Sequence, residues 1–106
     1  MKHIFVLNPN AGHGTAKKEL EDKLTGTSYD WQIYTTTAAG DSVRFIREWC
    51  DAHPEPVRFY ACGGDGTLNE VMAGAAGFPN AAISVLSTGS GNDFVKLFDD
   101  PKAFYD

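Results

Sequence analysis

Three glycine-bearing turns, Asn8–Gly14, Gly63–Thr67 and Ser87–Asn92, each follow directly on a short run of apolar and β-branched residues. This recurrence constrains the fold more than any other property of the chain. His3–Leu7 is almost continuously apolar, the pattern of a strand covered on both faces of a sheet. Tyr29–Thr36, Val57–Cys62 and Ala82–Leu86 supply aromatic and β-branched residues for three more strands.

Helical spacing fills the intervals between the strands. Ala16, Leu20 and Leu24 recur every fourth residue among charged neighbours, and Gly26 closes that helix. Gly40, Asp41 and Ser42 offer cap residues for a second helix, whose inner face carries Val43, Ile46 and Cys50, broadened by Phe45 and Trp49. Pro54 and Pro56 stop it. A third helix is predicted to begin near Thr67, with Leu68, Val71, Met72 and Ala75 at helical spacing and Gly77 and Pro79 at its end. A last short helix is predicted from about Asp93. Strands alternating with helices at this spacing require parallel βαβ units with right-handed crossovers. The expected fold is therefore α/β, a three-layer α/β/α sandwich around a mainly parallel sheet, with residues 1–106 as one domain.

Charge and composition narrow the partners. A formal net charge of -5 opposes broad binding to a nucleic-acid backbone, and Lys17 and Lys18 are flanked by Glu19, Glu21 and Asp22 as on a solvated helix face. No nucleic-acid partner is expected. Cys50 and Cys62 show no metal or redox spacing and read as buried thiols. Met1–Leu7 is too short for a signal-peptide core, so a cytoplasmic location is expected, with any membrane contact peripheral.

The turns themselves carry the chemistry. In open α/β sheets, ligands bind beyond the carboxyl ends of the strands, so all three turns should face one crevice. Glycines there allow a bulky anion to approach the backbone, and the N–H groups and positive dipole end of a following helix favour phosphate. Neither GxxxxGK[ST] nor GxGxxG is present, which excludes the two commonest phosphate loops.

The central turn reads GGDGTLNEV from Gly63 to Val71. GGDG alone is common to NAD kinases, phosphofructokinase-like enzymes and diacylglycerol kinases, but the LNEV continuation resembles the diacylglycerol and sphingosine kinase group. NPNAGHG at Asn8–Gly14 is similar to that family's NPxAGxG opening, and GSGNDF at Gly89–Phe94 to its GTGNDF segment. The resemblance spans nearly the whole chain, but only the amino-terminal, nucleotide-binding lobe of the family. It implies a truncated chain without the β-rich carboxy-terminal lobe, in which the family keeps its catalytic base and lipid-facing residues. No catalytic residue is therefore expected here.

What the resemblance implies can be carried over residue by residue. Asp65 would lie near the ATP phosphates and hold Mg²⁺ directly or through water. Gly63, Gly64 and Gly66 would present backbone N–H groups, Thr67 a hydroxyl, and Asn8, Asn69 and Glu70 would belong to the same nucleotide site. Thr36 matches a nucleotide-contacting threonine, and Ser90 stands where the family usually has threonine, keeping the hydroxyl but losing a methyl. The implied cofactors are ATP and Mg²⁺, and the implied reaction is transfer of the γ-phosphoryl to the hydroxyl of a diacylglycerol-like or sphingoid lipid. The isolated chain is expected to bind nucleotide without turning it over.

Plainer readings compete at several positions. Thr67 and Glu70 have the [ST]xxE spacing of a capping box, which would bind both to the start of their own helix. Asn69 fits a solvated helix position, and Asp93 a helix amino-terminal carboxylate. His13, alone in a polar loop, is not assigned a role. An NAD kinase-like enzyme and a noncatalytic nucleotide-binding module remain alternatives, and the sequence leaves the oligomeric state open.

Overall fold

The structure, a computed structural model, describes residues 1–8, 16–63 and 65–86. The body of the first turn with His13, Gly64, the third turn with Ser90, and the helix expected near Asp93 lie outside the described residues. The element order is β1 (Lys2–Leu7), α1 (Ala16–Leu24), β2 (Asp30–Thr35), α2 (Asp41–Ala52), β3 (Val57–Cys62), α3 (Asp65–Ala75) and β4 (Ala81–Leu86).

All strand pairs are parallel and the sheet order is β2-β1-β3-β4. Phe5 sits between Ile33 and Tyr60, and Leu7 between Thr35 and Cys62. Strand pleating then divides the core into two layers. Phe5, Leu7, Tyr60, Cys62 and Leu86 pack with Leu20 and Leu24 of α1. Ile4, Val6, Phe59 and Ala61 pack on the opposite face with Ile46 and Cys50 of α2 and Val71 and Ala75 of α3. The expected α/β/α layering is the observed one. Full burial of each such aliphatic or phenyl side chain contributes about 1.5–3 kcal/mol, so β1 and β3, covered on both faces, form the stable centre. Both cysteines are buried, as the sequence suggested, and burial pushes both thiols up.

Three local differences from the sequence reading matter for the site. Helix α3 begins at Asp65, two residues before the predicted start, so the glycine turn runs straight into the helix. Strand β2 ends at Thr35, yet the Thr36 N–H still donates to Leu7 O at 3.0 Å, which anchors Thr36 beside the end of β1. On α2 the buried residues are Ser42, Ile46 and Cys50, while Val43 is half-buried. The helices α2 and α3 approach closely at Gly74, where an added Cβ would lie 2.9 Å from Ile46 Cβ and 3.2 Å from the Val43 Cα.

Candidate functional site

The chain leaves β1 toward β2 on one side, and β3 lies on the other, so the strand order switches direction between β1 and β3. A switch point opens a crevice between the loops that follow the two strands. Asn8 follows β1 there, and Gly63 follows β3. A cleft of about 290 Å³ occupies this end of the sheet, lined by Asn8, by Thr36, Thr37, Ala38 and Ala39 after β2, by Ser42 of α2, and by Gly66, Thr67 and Glu70 of α3.

Five of the site residues expected from sequence thus share one cleft: Asn8, Thr36, Gly66, Thr67 and Glu70. Asp65 is exposed at the first residue of α3, and Asn69 is exposed further along the helix; neither is in the cleft lining. Gly63 is not in the lining either, and an added Cβ there would fall 2.7 Å from Thr67 Oγ1 and 3.3 Å from Thr67 Cβ. That contact explains a glycine at position 63 by packing alone. Gly66 differs, because a Cβ there would meet nothing within 4 Å and would project into open space beside the cleft. Gly64 and Ser90 lie outside the described residues.

The capping-box reading of Thr67 and Glu70 does not hold. With α3 starting at Asp65, Glu70 is a full turn past the helix start, and its side chain crosses to the neighbouring helix. Glu70 Oε1 accepts the Ser42 hydroxyl at 2.6 Å. That bond, followed by the backbone N–H groups of Gly40 and Ser42, holds the Glu70 carboxyl below the usual carboxylate range. Gly40, the residue before α2, adopts the left-handed conformation at φ 85° and brings no side-chain cap of its own. Glu70 therefore reaches the first turn of α2 instead of the start of its own helix.

Asp41 has a comparable structural role that the sequence reading saw only as a cap residue. Its carboxylate accepts the Tyr34 hydroxyl at 2.7 Å, the Thr37 N–H at 3.0 Å and Arg44 Nη2 at 2.6 Å. These donors, the tyrosine first, hold its carboxyl far below the ordinary range, and Asp41 in return raises the Tyr34 phenol. Tyr34 also stacks on Phe45 at 3.8 Å. The loop from Thr36 to Gly40 is thereby pinned at both ends, which keeps one wall of the cleft in place. Ser42 and the Thr37–Ala39 wall were missed from sequence because their part depends on contacts between β2, α2 and α3.

Among the described residues the cleft lining consists of backbone, small apolar side chains, hydroxyls, one amide and the Glu70 carboxylate, with no cationic side chain. Phosphate held here would rely on helix N–H groups and on a metal ion for charge neutralisation. Among the described residues no three of His, Cys, Asp and Glu are grouped to form a metal site. A Mg²⁺ ion at Asp65 would accordingly take its remaining ligands from phosphate oxygens and water, the usual habit of that ion. The residues present fit a magnesium-bound nucleotide on those terms.

A sequence model of the diacylglycerol kinase catalytic domain matches residues 2–105. A diacylglycerol kinase of Bacillus subtilis (strain 168) is 34% identical over 102 residues, covering 92% of this chain and 33% of that protein. One of Staphylococcus aureus (strain JH9) is 36% identical over 105 residues, covering 92% and 31%. The chain thus spans about a third of the length of these relatives. A crystal structure of a diacylglycerol kinase from Bacillus anthracis str. Sterne superposes with a TM-score of 0.63 at 24% identity, covering 95% of this chain and 35% of that one.

Proposed function

The chain belongs to the diacylglycerol kinase catalytic domain family, and from that premise we propose that its cleft is the ATP-binding site of a lipid kinase. One observation carries the reading: Asn8 after β1, Thr36 after β2, and Gly66 and Thr67 in the first turn of α3 line a single cleft at the carboxyl end of the sheet. The first turn of α3 directs N–H groups and the positive end of its dipole to the phosphates, and the Thr67 hydroxyl adds a donor. Gly66 leaves room for the phosphate chain to approach the backbone. Thr36 and the loop after it bound the cleft on the β2 side. Asp65, exposed at the first residue of α3, would hold the ion. Magnesium, when bound, supplies the positive charge that offsets the phosphate oxygens and orients the γ-phosphoryl.

In the whole protein the reaction is transfer of the γ-phosphoryl of ATP to a hydroxyl of a diacylglycerol-like or sphingoid lipid. The acceptor's base and lipid contacts come from the carboxy-terminal lobe, so this chain alone binds nucleotide and does not turn it over. Lipid access calls for peripheral membrane contact and a cytoplasmic location; among the described residues no helix is long and apolar enough to cross a membrane. Calorimetric titration with ATP and Mg²⁺ tests the site. Asp65→Ala is expected to abolish magnesium-dependent binding, while costing only about 0.3–1 kcal/mol of stability through loss of a helix amino-terminal carboxylate. Unchanged affinity in that variant would remove Asp65 from the site.

A further inference from the structure

Two helix amino termini open on the same cleft. Helix α3 contributes Gly66 and Thr67, and α2 contributes Ser42 together with the preceding Ala38 and Ala39. A polyphosphate is attracted to either end, since each offers N–H donors and a positive dipole. The two ends differ in occupancy. At α2 an anion is already in place: the hydroxyl of Ser42, in the first turn of the helix, donates to the Glu70 carboxylate at 2.6 Å. The other charged group near this end, Asp41, is bound to Tyr34, Thr37 and Arg44. Ser42 is 1% exposed, so the hydroxyl has a fixed partner within the protein.

We propose that Glu70 is a positioning and specificity residue, an internal anion that occupies the amino end of α2 and so confines a bound phosphate chain to the amino end of α3. The proposal rests on the nucleotide reading above and assigns Glu70 a task different from ligand contact. Two consequences follow from its charge. The carboxylate repels phosphate from the α2 side of the cleft, and its hydrogen bonds fix α2 against α3, so the Thr36–Ala39 wall meets the uncharged part of the nucleotide. Loss of the charge alone leaves the shape intact but removes the repulsion that keeps phosphate from the α2 side of the cleft.

Three variants of the 106-residue chain test this. In Glu70→Gln, which keeps an acceptor oxygen for Ser42, calorimetry should find inorganic tripolyphosphate bound about fivefold more tightly than by the parent chain, the size of one charge at a helix amino end. Adenosine affinity should not change. A parallel fall in both affinities would overturn the proposal in favour of a purely structural cap. A separate arm does not depend on nucleotide. Glu70→Ala should lower the melting temperature, and inorganic phosphate should recover part of the loss where chloride at equal ionic strength does not; the same phosphate should leave Glu70→Asp, which restores an anion, much less affected. Equal responses of Glu70→Ala to phosphate and chloride would refute anion occupancy of α2. If the parent chain binds neither ATP nor tripolyphosphate while phosphate rescue succeeds, the nucleotide reading fails and the role of Glu70 at α2 stands.

Discussion

The two ends of the parallel sheet are built on opposite terms. At the amino ends of the strands, polar groups are paired within the chain. Lys2 bonds Asp30 at 3.0 Å, His3 Nδ1 lies 2.8 Å from the Tyr60 hydroxyl, Arg58 donates to Ser84, and Asn80 Nδ2 donates to the carbonyls of His53 and Glu55. At the carboxyl ends, hydroxyls, an amide and glycine backbone face an open cleft. The amino end also has a hollow, about 370 Å³ against 290 Å³, lined by Lys2, Asp30, Trp49 and His53 among others. Volume therefore does not distinguish the two ends; the chemistry of the lining does. Trp49 and His53 stack at 3.9 Å on that side, and Lys2 is committed to Asp30. The amino ends thus carry internal pairs around their hollow, and the proposed nucleotide site falls at the carboxyl ends.

Substitutions can break or sharpen this division. The largest effect is expected at Gly63, where the two properties meet. Gly63→Val drives a side chain into Thr67, and should cost about 1–3 kcal/mol by overpacking and weaken nucleotide binding at the same time, measured by denaturant unfolding and titration. Tyr60→Phe comes next. Removing the partner of His3 should cost about 1–2 kcal/mol while ATP affinity stays within error, which would place the amino end firmly on the structural side. Gly66→Ala should do the reverse. A Cβ there touches nothing, so stability holds or rises slightly, while ATP affinity falls roughly tenfold.

The remaining prediction concerns pH dependence. Burial, with the positive charges of the amino terminus and Arg58, pushes His3 down from 6.5 to about 4. The folded state therefore refuses a proton that the unfolded chain accepts between those values. Stability contributed by neutral His3 is present above pH 6.5 and is lost progressively as the pH falls toward 4. Thermal melts over this range should show the decline, and His3→Gln should flatten it. An undiminished decline in the variant would assign it to other groups.

Much of this architecture was legible from sequence because β1 and β3 are apolar on both faces and the helices carry single stripes. Local pattern and tertiary environment agree there. The cleft was legible in outline for the same reason, since a glycine turn after a buried strand leaves few places for a ligand. What escaped was every feature decided between elements. Thr67 and Glu70 have the spacing of a cap, but a helix that begins at Asp65 places Glu70 beyond its own amino end and within reach of Ser42, which is 28 residues away in sequence. Likewise Asp41 looks like a helix-start residue until Tyr34 and Thr37 converge on it. Spacing within one segment carries no information on such partners.

The central claim is that nucleotide binds at the carboxyl end of the sheet, and amide chemical-shift mapping with magnesium-ATP tests it most directly. The account predicts the largest shifts at Asn8, Thr36, Gly66 and Thr67, with Lys2, Asp30, His53 and Glu55 unmoved. Shifts centred on the hollow beside Trp49 and His53, or none at either end, would contradict it.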